Sequence, residues 1–294
     1  MKFLVVLLNI VIIQAGVIKE ENIIENKNEE ELCPGVIVNG VYHELEELKS
    51  GLTHPYRLAV DYSTNTLFFS YYSLNEKDDI FKSAYINLNT KEFSDVAGVK
   101  NGFAQTVDQN NHEVYISGSD DLYNNKINIY KYNLSTKSTE LFAKIESDIW
   151  NIYFKDILYY TGFTSHFLYT CTNGESQRFK NLDTKVDQFV IDNDDVIFFT
   201  NATGLFSQEK DTKDAVLYPK HHLYTIHGLT TDLNGDVYVC MFDGIYKVNK
   251  AEISLKKLLD IDNVFELAFD NENNIIYSDA TKLIRLKPNK EKAC

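Results

Sequence analysis

Basic residues are scarce in this sequence. Lys and Arg number 29 against 43 Asp and Glu, for a net charge of −14, and no basic run exceeds Lys256-Lys257. A polyanion or an anionic membrane is repelled by such a chain, so neither nucleic acid nor a membrane is an expected partner. Phosphate loops and a G-x-S-x-G nucleophile motif are absent. The four cysteines form no CxxC and have no histidine at zinc-finger spacing. Acidic stretches such as Asp192-Asn-Asp-Asp195 lack the spacing of a calcium-binding EF-hand loop. No resident metal and no cofactor are therefore expected. No Pro/Gly/Ser-rich linker divides the chain. Its long apolar run, Phe3 to Ile13, is broken by Asn9 and falls well short of the roughly 20 residues a membrane span needs.

That apolar run follows Met1-Lys2 and precedes the small pair Ala15-Gly16, the pattern of a secretory signal peptide over residues 1–16. Residues 17–31 are mostly charged or amide side chains and read as a flexible acidic leader. Residues 32–294 are left as one folded domain. Two N-glycosylation sequons, at Asn133 and Asn201, fit export. In an oxidising compartment the even cysteine count permits disulfides, and a monomer is the expected state.

Internal repetition decides the fold class. Six segments share one grammar of apolar strand, usually Asp, polar turn, and a second strand rich in β-branched and aromatic residues. They run LAVD (Leu58–Asp61), QTVD (Gln105–Asp108), IYFK (Ile152–Lys155), FVID (Phe189–Asp192), LTTD (Leu229–Asp232) and LAFD (Leu267–Asp270). The anchors fall 47, 47, 37, 40 and 38 residues apart, the period of a propeller blade. The expected fold is an all-β, six-bladed β-propeller. The last repeat lacks a fourth strand, and Tyr42 to Leu48 resembles the fourth strands of other repeats. An N-terminal strand therefore closes the ring and pairs two exposed edges. Cys294 follows the last strand and Cys33 precedes the closing one, so a Cys33–Cys294 disulfide is expected. It would contribute about 4–5 kcal/mol through loop closure. Cys171 and Cys240 fall a blade apart and read as buried free thiols.

Propellers bind ligands where the innermost strands begin. The residue five before each anchor should sit there: Tyr56, Phe103, Trp150, Asp187, His227 and Phe265. Four are large aromatics, including the single tryptophan. Such a ring suits a planar, conjugated ligand with a few polar groups. Arg57, Asn151, Gln188 and Glu266, one residue along, are candidates to bind those groups. Strand alternation nevertheless points Asn151 and Glu266 away from the axis. Loops on the same face add Tyr71, Tyr72, Phe163 and Phe242. The alternative is that the aromatics only plug the channel. Six-bladed propellers that are metal-dependent lactonases or esterases resemble this chain in architecture and hold a cation with Glu, Asn and Asp side chains. Here aromatics stand at the corresponding positions, so a non-catalytic protein is expected, with a lactonase-type hydrolase as runner-up.

Over most of the exported chain the sequence resembles the insect ommochrome-binding proteins. The resemblance is carried by Cys33-Pro-Gly35, by PYRLAVD (Pro55–Asp61) and by HGLTTDLNGDVYV (His227–Val239). It implies a secreted haemolymph protein that carries an ommatin-type pigment, a planar phenoxazinone. The pigment is the ligand; the resemblance does not assign the residues that touch it.

Overall fold

The computed structural model describes residues 35–74, 80–119, 127–146, 148–219 and 225–291, and every regular element among them is a β-strand. The described chain opens on a hairpin, β1 (Gly35–Val38) and β2 (Val41–Lys49). Asn39 and Gly40 turn it at φ 49° and 79°. Two left-handed residues are what a tight two-residue hairpin requires. Four-stranded antiparallel sheets follow in chain order: β3 (Tyr56–Asp61) to β6 (Phe93–Asp95), β7 (Gln105–Asp108) to β10 (Ser138–Ile145), and β11 (Asn151–Lys155) to β14 (Glu175–Arg178). Then come β15 (Phe189–Ile191) to β18 (Ala215–Leu217) and β19 (Ile226–Thr231) to β22 (Ser254–Asp260). The sixth sheet joins the first and last described strands. Its order is β1-β2-β25-β24-β23, from β23 (Glu266–Phe269), β24 (Ile275–Ser278) and β25 (Leu283–Pro288). This is the six-bladed propeller expected from the repeats, and β2 supplies the expected closing strand. The fifth strand β1 was not anticipated, although Asn39-Gly40 is a strong hairpin signal.

The repeated aspartates explain why the pattern folds as hairpins. Asp61, Asp108, Asp192, Asp232 and Asp270 end or directly follow the innermost strands, and all are buried. Each turns a carboxylate oxygen onto backbone N–H groups of the following turn. Asp192 Oδ1 accepts from Asp194 at 2.8 Å and Val196 at 2.9 Å. Asp232 Oδ1 accepts from Asn234 and Asp236, both at 2.9 Å, and Asp270 Oδ1 from Glu272 at 3.0 Å and Asn274 at 2.8 Å. Asp108 and Asp61 do the same. A buried carboxylate is tolerated when such donors replace water. In the third blade Lys155 stands instead, and the strands turn on the single residue Asp156 at φ 59°.

Blades pack face to face. Among the described residues, buried apolar side chains gather into six clusters, one at each interface between neighbouring blades. Leu48 of β2 joins the cluster between the sixth and first blades, so the N-terminal strand contributes core as well as hydrogen bonds. The closure is locked by Arg285. Its guanidinium binds Glu46 of β2 at 2.7 Å, Asp270 at 3.2 Å and the Leu88 carbonyl of the first blade at 3.1 Å. Burial alone would raise the Glu46 carboxyl, but hydrogen bonds from Lys91 and Arg285 outweigh it and hold its pKa below the ordinary range. Cys171 and Cys240 are buried free thiols. Cys33 and Cys294, and the segments 1–16 and 17–31, lie outside the described residues.

Candidate functional site

The six positions counted from the repeats converge at one end of the channel, in blade order. Tyr56 meets Phe103 with ring centroids 6.2 Å apart, and Phe103 meets Trp150 at 5.4 Å. On the other side His227 meets Phe265 at 6.2 Å. His54 bridges the two arcs, 6.0 Å from both Phe265 and Tyr56 and nearly parallel to Tyr56 at 9°. From Trp150 the chain of rings continues through Phe163 at 5.2 Å to His166 at 6.4 Å. His166 Nδ1 then approaches Asp187 Oδ1 at 2.8 Å. Phe242 flanks His227 at 6.4 Å, and Tyr72 reaches the ring through Phe81, 5.1 Å from Phe103. Tyr71 was expected here and is elsewhere. Its hydroxyl donates to Asp95 at 2.9 Å and its ring packs on Phe69, toward the neighbouring blade.

Between Asp187 and His227 the arc opens into an off-axis cavity of about 680 Å³ over the third to fifth blades. Its lining includes Trp150, Phe163, His166, Asp187 and Gln188, the Thr200–Leu205 turn, and Tyr218, Ile226, Met241 and Leu255. Of the six ring positions, Trp150 and Asp187 face this cavity; Tyr56, Phe103, His227 and Phe265 do not line it. Phe163, at its lip, is 53% exposed. An open ring edge on a concave apolar wall is the arrangement that takes a flat molecule. His166 and Phe81 were missed in the sequence; both lie outside the counted register.

Asn201 ends β16 (Val196–Asn201) in a tight turn, its side chain accepting from the Thr203 N–H at 2.7 Å, and it lies on the cavity rim. Asn133 ends β9 (Ile127–Asn133) and accepts from the Thr136 N–H at 3.0 Å.

Beneath the rings lies a second, polar layer. Arg57 is buried, with its guanidinium 4.5 Å from the Trp150 ring and 5.3 Å from Phe103. Its Nη1 donates to Glu266 Oε1 at 3.5 Å. Asn151, Gln188, Glu266 and Gln105 line the axial channel with it. The expectation that Asn151 and Glu266 point away from the axis is thus overturned. Phe103, Trp150, Asp187 and Phe265 precede their strands, so pleat alternation does not govern the step after them. In the first blade a bulge between Tyr56 and Ala59, with Arg57 at φ 54°, breaks alternation outright. In the fifth blade the equivalent residue is Gly228. A Cβ there would lie 2.8 Å from Cys240 Sγ and 3.2 Å from Glu266 Cα, so glycine makes room for Glu266. Burial pushes the Glu266 carboxyl up and the Arg57 guanidinium down, each partly offset by the other's charge.

Among the described residues no group of three or more His, Cys, Asp or Glu side chains gathers to hold a metal. A guanidinium already faces the channel's Glu266, and a cation site needs several oxygen ligands without a resident positive charge.

No family model matches the sequence. The fold is shared with solved propellers at low identity. A gluconolactonase from Xanthomonas campestris aligns with TM-score 0.64 and 10% identity, over 87% of this chain and 92% of that one. The calcium-binding protein regucalcin from Agrobacterium tumefaciens aligns with TM-score 0.57 and 10% identity, over 84% and 96%. Much closer in sequence is the ommochrome-binding protein of Manduca sexta. It is 31% identical over 259 residues, which cover 86% of this chain and 90% of that protein. The chain belongs to the ommochrome-binding protein family.

Proposed function

We propose that the protein is a secreted, non-catalytic haemolymph carrier that holds a planar ommochrome pigment of the ommatin class in the off-axis cavity, against Trp150 and Phe163. The observation that carries this reading is a cavity whose lining joins Trp150 and the exposed Phe163 to the apolar side chains of Ile226, Met241 and Leu255. A flat polycyclic molecule inserted there stacks on one side and is packed on the other. Each aromatic contact contributes about 0.5–1.5 kcal/mol beyond the burial of area. His166, Asp187 and Gln188 meet its polar groups. Tyr56, Phe103, His227 and Phe265 hold Trp150 and its neighbours in place, and Arg57 supports Trp150 from below. Glycans on Asn133 and Asn201 and a Cys33–Cys294 disulfide belong to the same extracellular reading.

The non-catalytic part rests on the Arg57–Glu266 contact, which gives the channel's Glu266 carboxylate a cationic partner of its own. Protein purified from its source is expected to show a visible absorption band that co-elutes with the chain. It is expected not to hydrolyse gluconolactone, with or without calcium. Colourless protein with hydrolysis lost on chelation contradicts the reading.

A further inference from the structure

The turn after β16 borders two depressions. Asn201 pairs with Gly204 at the start of β17 (Gly204–Glu209), so Ala202 and Thr203 form the tip, and both are exposed. The Thr200 carbonyl accepts from the Asp187 N–H at 2.8 Å, which fixes the turn at the mouth of the propeller. Asn201, Ala202 and Thr203 line the pigment cavity. They also line an open groove of about 390 Å³, with His166, Thr184, Lys185 and Asp187.

The groove and the cavity differ in chemistry. The cavity carries Trp150, Phe163, Ile226 and Met241. Every side chain on the groove except that of Ala202 can donate or accept a hydrogen bond. His166 and Asp187 already approach each other at 2.8 Å, which leaves Thr184, Thr203 and Lys185 as donors. Lys185 and Asp187 are opposite in sign, so the groove has little net attraction for an ion. A neutral, polyhydroxylated occupant suits it.

Such an occupant is covalently at hand. Asn201-Ala-Thr203 is an N-glycosylation sequon. Asn201 Oδ1 accepts from the Thr203 N–H at 2.7 Å, an Asx turn that leaves the task of carrying a sugar to Nδ2. Asn133 provides the contrast. It pairs with Glu113, which pairs with Asp108, so it lies at the hairpin end of its blade and lines neither depression. We propose that the first sugar of an N-linked glycan on Asn201 seats in this groove, and that the glycan walls the mouth of the pigment cavity and slows pigment exchange. Thr184, Thr203 and Lys185 donate to the sugar's oxygens. The effect on exchange rests on the carrier reading; the seat of the sugar rests only on export of the chain.

The test uses the exported chain produced in a glycosylating insect cell line, with peptide mass spectrometry reading the occupancy of both sequons. Acrylamide quenching of the single tryptophan, Trp150, then reads the cavity without pigment. Asn201 is expected to be glycosylated, and Asn201→Gln to raise the quenching constant about twofold because a bulky wall is gone. Thr203→Ala removes the same glycan while keeping Asn201 and its turn, and is expected to do likewise. Thr184→Val with Lys185→Met keeps the glycan but strips the groove of donors, and is expected to give the same rise. Asn133→Gln is expected to change nothing. Pigment is expected to dissociate from Asn201→Gln about three times faster than from the wild type. An unoccupied Asn201, or quenching that matches the wild type in any of the three mouth variants, overturns the proposal. So does an equal rise in Asn133→Gln. Failure of every form to bind pigment sinks the carrier reading alone, and the quenching comparison still decides the seat of the glycan.

Discussion

The two ends of the propeller obey different rules. At the hairpin end, five of six blades use one device, a buried aspartate on the N–H groups of its own turn. At the mouth, the equivalent positions carry Tyr56, Phe103, Trp150, Asp187, His227 and Phe265, and only phenylalanine recurs. Repetition marks what every blade needs in order to fold. Departure from repetition marks what the assembled ring does once. The cavity opens where the ring sequence departs most, between Asp187 and His227, where aromatic side chains give way to a carboxylate and an imidazole.

The contrast predicts large stability effects at the first end and binding effects at the second. The greatest loss is expected from Arg285→Met, which strips Asp270 and Glu46 of their shared cation and unlatches β2. Breaking a buried ion pair costs about 3–5 kcal/mol, and denaturant unfolding measures it. Asp192→Ala is expected to cost about 1–3 kcal/mol by orphaning two turn N–H groups, with pigment affinity unchanged. At the mouth the pattern inverts. Trp150→Ala is expected to weaken pigment binding about tenfold, ~1.4 kcal/mol, with little change in the binding-independent unfolding midpoint.

The smallest effect belongs to pH. The folded pKa of Glu46 is depressed, so its stabilisation is fully present above its ordinary value near 4.5 and is lost as pH falls through the lower folded value. Glu46→Gln is therefore expected to be less stable than wild type at neutral pH. The gap should close in acid, as melting points from pH 7 downward would show. A gap that persists once the carboxyl is fully protonated would mean that Glu46 acts through packing rather than charge.

Much of this was legible in the sequence because repeats multiply weak signals. One LAVD segment says little; six at blade spacing fix the class, the closing strand and the ring positions. β1 was missed because it lies outside the repeat, though Asn39-Gly40 announced its turn. Arg57 was placed at the correct end of the channel, but alternation could not foresee its bulge or the positive φ that turns it beneath Trp150. The off-axis cavity was not legible at all. Tyr218, Ile226 and Met241 come from unlike places in two blades, and only their packing brings them into one cavity with Trp150.

The single tryptophan of the chain sits on the cavity wall. Titrating the protein with an ommatin while following tryptophan emission therefore reads the central claim directly. The account predicts saturable, near-complete quenching at one pigment per chain. Pigment that binds at one per chain and leaves Trp150 emission unchanged would place it elsewhere and contradict the account.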